Sequence, residues 1–130
     1  MKRTYQFLKD AGTFYLATVD GDQPRVRPFG AVRIYNNRLY LSTNNKKDCY
    51  RQMLKNDKIE ISAMVKGEWI RLTANAIPDN DINAREAMLE ATPSIKGMYS
   101  ASDGLMEVLY LTNAKATFSS FSKKPEFEEF

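Results

Sequence analysis

Most apolar positions in this chain recur at every second residue, and only three stretches recur at helical spacing. Glu68 to Ile77 alternates most cleanly: Ile70, Leu72, Ala74 and Ala76 point one way, and Trp69, Arg71, Thr73 and Asn75 the other. That pattern predicts a strand with one buried face, stopped by Pro78. Lys58 to Val65 alternates in the same manner, and Lys66-Gly67 is the turn between the two. Thr13 to Val19 is rich in aromatic and β-branched residues and ends at the turn dipeptide Asp20-Gly21. Pro24 to Tyr35 follows as a second strand with Arg25, Arg27 and Phe29 on one face. Pro28 within it predicts an edge position, a bulge or a bend, and Gly30 permits close approach of a ligand or a second backbone. Arg38 to Ser42, reached through Asn36-Asn37, is the third strand, so the first three are expected to form an antiparallel meander.

Helical spacing marks Arg3 to Ala11, with Gly12 as its C-cap. It marks a second stretch that starts after Asn45, the expected N-cap, and stops near Asn56-Asp57. A third runs from Asp79 or Asn80 as cap to Ala91, ending before Pro93. Ser94 to Asp103 reads as irregular, and Met106 to Asn113 and Ala114 to Phe121 as two closing strands before an acidic tail. Six or so strands, mostly antiparallel, with two or three helices make an α+β protein built on a small β-barrel, because hairpin-connected, half-buried strands must close or pack on a second sheet. Residues 1–130 are expected to form one domain.

Composition narrows the chemistry. At 130 residues, 43% hydrophobic and 27% charged, the chain suits a soluble globular protein, and no apolar run nears the roughly 18 residues that span a bilayer. The charged N-terminus lacks a signal-peptide core, so a cytoplasmic location is expected. With one cysteine and no histidine, an intramolecular disulfide, a histidine-bearing zinc site, a Ser-His-Asp triad and a Cys-His pair are all excluded. Cys49 reads as a small buried hydrophobe.

Charge locates a site. Pro24 to Lys47 holds six of the 19 Lys and Arg residues and no acid, so the remaining 13 cations face 16 acids. The basic character is local, which points to one anionic ligand. A phosphate takes backbone amides at a helix start, hydroxyl donors and cations, and Ser42, Thr43, Asn44, Lys46 and Lys47 supply these within six residues. Arg25 and Arg27 reach the same place if strands two and three pair. Phe29, Tyr40 and Trp69 offer surfaces for an attached ring. In the blander alternative, the arginines are a solvated strand face, Trp69 is a core or interface anchor, and Ser42 and Thr43 merely end a strand.

The blocks FYLATVDGDQPRVRPFG, RLYLSTNNKKDCYRQMLKNDKIEIS and GEWIRLTANA, in this order, resemble the pyridoxamine 5'-phosphate oxidase-like family of FMN-binding split barrels. The small branch that includes the 5-nitroimidazole-resistance flavoproteins is the most similar. The resemblance implies a six-stranded antiparallel Greek-key split β-barrel, a homodimer with flavin at the interface, and oxidoreductase activity on a small molecule. It assigns FMN contacts to Arg27, Pro28, Phe29, Gly30, Ser42, Thr43 and Lys47, with Lys46 in an alternative register. Trp69 and Arg71 match a strand that approaches the flavin of the partner subunit. The histidine common near the flavin in that branch is absent, and no substrate-holding C-terminal segment of the pyridoxamine phosphate oxidases is recognisable. Alternatives are the deazaflavin F420 or haem in the same barrel, a flavin carrier without turnover, and a nucleic-acid-binding barrel prompted by a pI near 9.0. Neither nucleic acid nor membrane is the expected partner.

Overall fold

The computed structural model describes all of residues 1–130, as eight strands and four helices. The chain opens with α1 (Lys2–Ala11), which Gly12 ends at φ 75°, a left-handed conformation that suits glycine. The hairpin of β1 (Phe14–Asp20) and β2 (Gln23–Phe29) follows, turning at Gly21.

Pro24 to Tyr35 is two strands rather than one. The chain breaks at Gly30-Ala31, and β3 (Val32–Tyr35) leaves β2 to pair with β4 (Arg38–Asn44). The expected meander therefore does not form, since β2 and β4 are not neighbours. Beyond them lie α2 (Asp48–Lys55), β5 (Lys58–Val65), β6 (Glu68–Asp79), α3 (Ile82–Ala91), α4 (Pro93–Lys96), β7 (Met106–Ser120) and β8 (Glu126–Glu129). The antiparallel sheet runs β2-β1-β5-β6-β7-β4-β3, with β8 added on β7. Its two end strands are consecutive in the chain and joined by two residues, so the sheet has to curl until its edges approach. The result is a barrel split between β2 and β3, mainly antiparallel β with a few short helices, which agrees with the expected α+β protein built on a small β-barrel.

The strand count is eight because local devices override the pattern. The two expected closing strands are one, Met106 to Ser120: the register shifts opposite Thr73/Asn75, and Asn113 takes a left-handed φ of 49°, a bulge rather than a turn. The acidic tail forms β8, after which Phe130 exchanges backbone bonds of 2.7 and 3.0 Å with Ala114. Pro78 does not end β6, because β5 pairs only as far as Asn75 and leaves one side of the strand without a ladder to satisfy. Ser94 to Asp103 is partly helical, since Pro93 sits in the first turn of α4.

The barrel interior is filled as the alternation requires. Ile70, Leu72 and Ala76 are fully buried with Phe14, Leu16 and Ile61 in a 20-residue core. Outside it, α3 contributes Ala84, Met88 and Leu89 to a second cluster that also holds Tyr40 and Val108. No helix is long and apolar enough to cross a membrane.

Candidate functional site

The gap in the barrel is lined as a cavity of about 340 Å³. One wall is the β2–β3 connection from Arg27 through Pro28, Phe29 and Gly30 to Ala31. Ser42 and Thr43 come from the end of β4, and Lys47 and Cys49 from the start of α2. The curling that brings β2 and β3 together thus also unites residues from opposite ends of the sheet. The opposite wall is Thr92, Ser94 and Ile95 around α4, followed by Met98 and Tyr99.

Arg27 is fixed before any ligand arrives. Its guanidinium donates to Thr18 Oγ1 at 2.8 Å, Gln52 Oε1 at 2.9 Å and the Leu16 carbonyl at 3.2 Å. All three acceptors are neutral, so Arg27 brings its positive charge to the cavity wall without an ion-pair partner. Arg25 is exposed, pairs with Asp20 at 3.1 Å, and lies in an adjoining depression shared with Arg27 and Lys47. Thr43 is buried, with Oγ1 3.5 Å from the Cys49 thiol, and Ser42 is half-buried on the alternate face of the strand.

Other predicted site residues lie elsewhere. Asn44 does not line the cavity; its side chain binds Tyr99 and the Lys46 amide. Lys46 is exposed and outside it. Tyr40 is fully buried rather than a ring surface; burial, together with its 2.7 Å bond to Asp79, pushes its hydroxyl up to about 12. Trp69 and Arg71 face outward on β6 in a separate groove with Glu60 and Lys115. There Trp69 packs on Phe121 and Arg71 reaches Glu60 at 3.3 Å.

The helix start also differs from expectation. Lys47, not Asn45, is the N-cap of α2, because the Lys47 amide bonds the Asn44 carbonyl and inserts a further turn. The Asn45 side chain is drawn instead to the Gly104 carbonyl and Glu107. Asp48, in the first turn, pairs with Arg51. On α3 the cap is Asp81, whose carboxylate accepts from the Asn83 amide at 2.8 Å.

Thr92 to Tyr99 is the half of the site that periodicity misses. Its one signal is that an irregular stretch stands between two regular elements, where ligand contacts concentrate. No group of three or more His, Cys, Asp or Glu residues is placed to hold a metal ion.

The donor set fits a phosphate-bearing planar cofactor such as FMN: two hydroxyls, a free lysine, an arginine held by neutral partners, and a glycine-containing backbone wall. Comparison with known proteins shows the family. A protein-family model described as "Pyridoxamine 5'-phosphate oxidase" matches residues 2–119. The chain is similar to the crystal structure of a NimC/NimA family protein from Clostridium acetobutylicum, at 50% identity over 100% of this chain and 92% of that one, with a TM-score of 0.97. It shares its fold with General Stress Protein 26 from Bacillus anthracis, at 16% identity over 99% and 97% of the two chains and a TM-score of 0.76. A heme binding protein from Mycobacterium smegmatis has the same fold at 15% identity, over 95% of this chain and 55% of that one, with a TM-score of 0.67. No curated protein matches the sequence.

Proposed function

Because this chain belongs to the pyridoxamine 5'-phosphate oxidase family, we propose that it is an FMN-binding oxidoreductase acting on a small molecule. The observation that carries the reading is the cavity in the barrel's split, where Arg27, Ser42, Thr43 and Lys47 converge from β2, β4 and α2. Lys47 and Arg27 hold the phosphate by charge, and the Ser42 and Thr43 hydroxyls donate to its oxygens. The backbone from Pro28 to Ala31 lies along the ring. Bound there, FMN supplies hydride or electron transfer, and the chain supplies binding, orientation and electrostatics.

The active form is a homodimer with flavin at the interface. Support comes from the outer face of the barrel, where Tyr15, Val26 and Met64 are 52%, 68% and 63% exposed on β1, β2 and β5. Pairing such a face with a second copy removes apolar surface from water. It also gives Trp69 and Arg71, remote from the cavity of their own chain, a route to the partner's site.

Absorbance of the purified protein tests the cofactor. A yellow protein that loses FMN on combined Arg27→Ala and Lys47→Ala substitution supports the reading; failure to take up added FMN overturns it. Parallel titrations with F420 and haem separate the related cofactors. Sedimentation of the holoprotein tests the dimer.

A further inference from the structure

The side-chain amide of Asn44 has one orientation that satisfies its neighbours. Its Oδ1 accepts the Lys46 backbone N–H at 3.0 Å, so Nδ2 is the atom that faces Tyr99, 2.7 Å from Oη. The backbone amide can only donate, which fixes the amide without reference to the tyrosine. Tyr99 Oη therefore accepts from Asn44, and its own proton remains free for another partner. Tyr99 lines the cavity and Asn44 does not. Tyr99 is thus a cavity-lining residue whose phenolic proton has no acceptor within the chain, because Asn44 already donates to its oxygen.

We propose that Tyr99 donates this hydrogen bond to an acceptor oxygen of the small-molecule substrate, that Asn44 is the positioning residue that keeps the proton turned inward, and that the substrate is an uncharged molecule with a carbonyl-type oxygen on an apolar body. The proposal rests on the FMN reading. Arg27 and Lys47 are the only charged residues lining the cavity, and a phosphate of about −1.5 to −2 matches both, leaving no ion for a charged substrate. Tyr99 shares its wall with the apolar side chains of Ile95 and Met98 and the neutral hydroxyls of Thr92 and Ser94, whereas the phosphate-binding groups come from β2, β4 and the start of α2. Substrate selection then lies in a donor that rejects analogues lacking the oxygen.

The probes are acetophenone and ethylbenzene, an apolar body with and without a carbonyl, titrated calorimetrically into the FMN-loaded protein. The expected result is a preference for acetophenone of about fivefold, the ratio that one neutral hydrogen bond supplies. Tyr99→Phe abolishes that preference and leaves the FMN Kd unchanged. Asn44→Asp is the sharper variant: a carboxylate retains the Lys46 contact but accepts from Tyr99, turning the proton away from the cavity, so the preference is again lost. A purely structural contact predicts that Asn44→Asp leaves selectivity intact. An intact preference in either variant, no preference in the native protein, or loss of FMN in Tyr99→Phe overturns the proposal. Failure to bind FMN overturns the cofactor reading instead, and the same two probes titrated into the cofactor-free protein then decide Tyr99 separately.

Discussion

Arg27 and Gln52 are joined by a 2.9 Å bond from guanidinium to side-chain carbonyl, which ties the end strand β2 to α2 beside the cavity that Arg27 lines. Thr18 completes the link, donating to the same Gln52 oxygen at 2.6 Å while accepting from Arg27. One amide oxygen therefore orients the cavity's fixed cation without adding charge.

Two substitutions at Gln52 separate its structural and electrostatic roles. Gln52→Leu leaves the nearly inaccessible Thr18 hydroxyl and Arg27 without their shared acceptor, and is expected to cost about 1.5–3 kcal/mol in urea denaturation. Gln52→Glu keeps the acceptor but places a carboxylate on the guanidinium. Stability is then retained, while the FMN Kd rises about tenfold, equivalent to about 1.4 kcal/mol.

How far the sequence discloses the molecule follows from which interactions are local. The core face of β6 is legible because Ile70, Leu72, Ala74 and Ala76 obey a period that any half-buried strand imposes. The turn at Gly21 and the cap at Gly12 are legible for the same reason, since a few adjacent residues decide each. Arg27, Ser42, Thr43 and Lys47 could be grouped by residue type, but the route that unites them could not: it depends on β2 and β3 parting at Gly30-Ala31 and closing the sheet. Tyr99 was hidden because its role comes from Asn44, 55 positions away, and not from its neighbours in the chain. Asn45 shows the converse failure. A locally ideal cap residue is taken by Gly104 and Glu107, which approach only after folding.

Gly30 distinguishes a ligand constraint from a folding constraint. A Cβ there meets only the Gly12 carbonyl oxygen at 3.6 Å, an ordinary contact, and the backbone has no left-handed φ. Gly30→Ala should therefore preserve the melting temperature to within about 2 °C. A methyl group on the cavity wall nevertheless occupies ligand space, and the FMN Kd should rise about tenfold. Differential scanning fluorimetry and flavin fluorescence quenching measure the two effects on one sample.

Lys66 stores strain that can be removed. With Gly67 it forms the two-residue turn between β5 and β6, with left-handed φ values of 49° and 80°. Asparagine tolerates that region better than lysine, so Lys66→Asn is expected to stabilise the protein by about 0.5 kcal/mol and raise the melting temperature by about 1–2 °C. Lys66→Val, β-branched at a left-handed position, should lower stability by about 1 kcal/mol. Chemical denaturation of both variants reads the difference.

Glu128 links β8 to the first turn of α1 and makes that link sensitive to acid. Burial raises the carboxyl's pKa, but bonds from the Met1 ammonium at 2.7 Å and from the Thr4 hydroxyl and amide at 2.5 and 2.9 Å more than reverse this, bringing it to about 2. The folded value lies below the ordinary 4.5, so the unfolded chain binds the proton more readily. The stabilisation is fully present above about pH 4.5 and is lost as pH falls from there through about 2. Glu128→Gln should therefore cost roughly 2 kcal/mol at neutral pH, with the gap from the native protein narrowing below pH 4.5 and closing near pH 2. Urea midpoints measured across that range test the sign, since a gap independent of pH would assign the stabilisation to packing of β8 instead of to the charge.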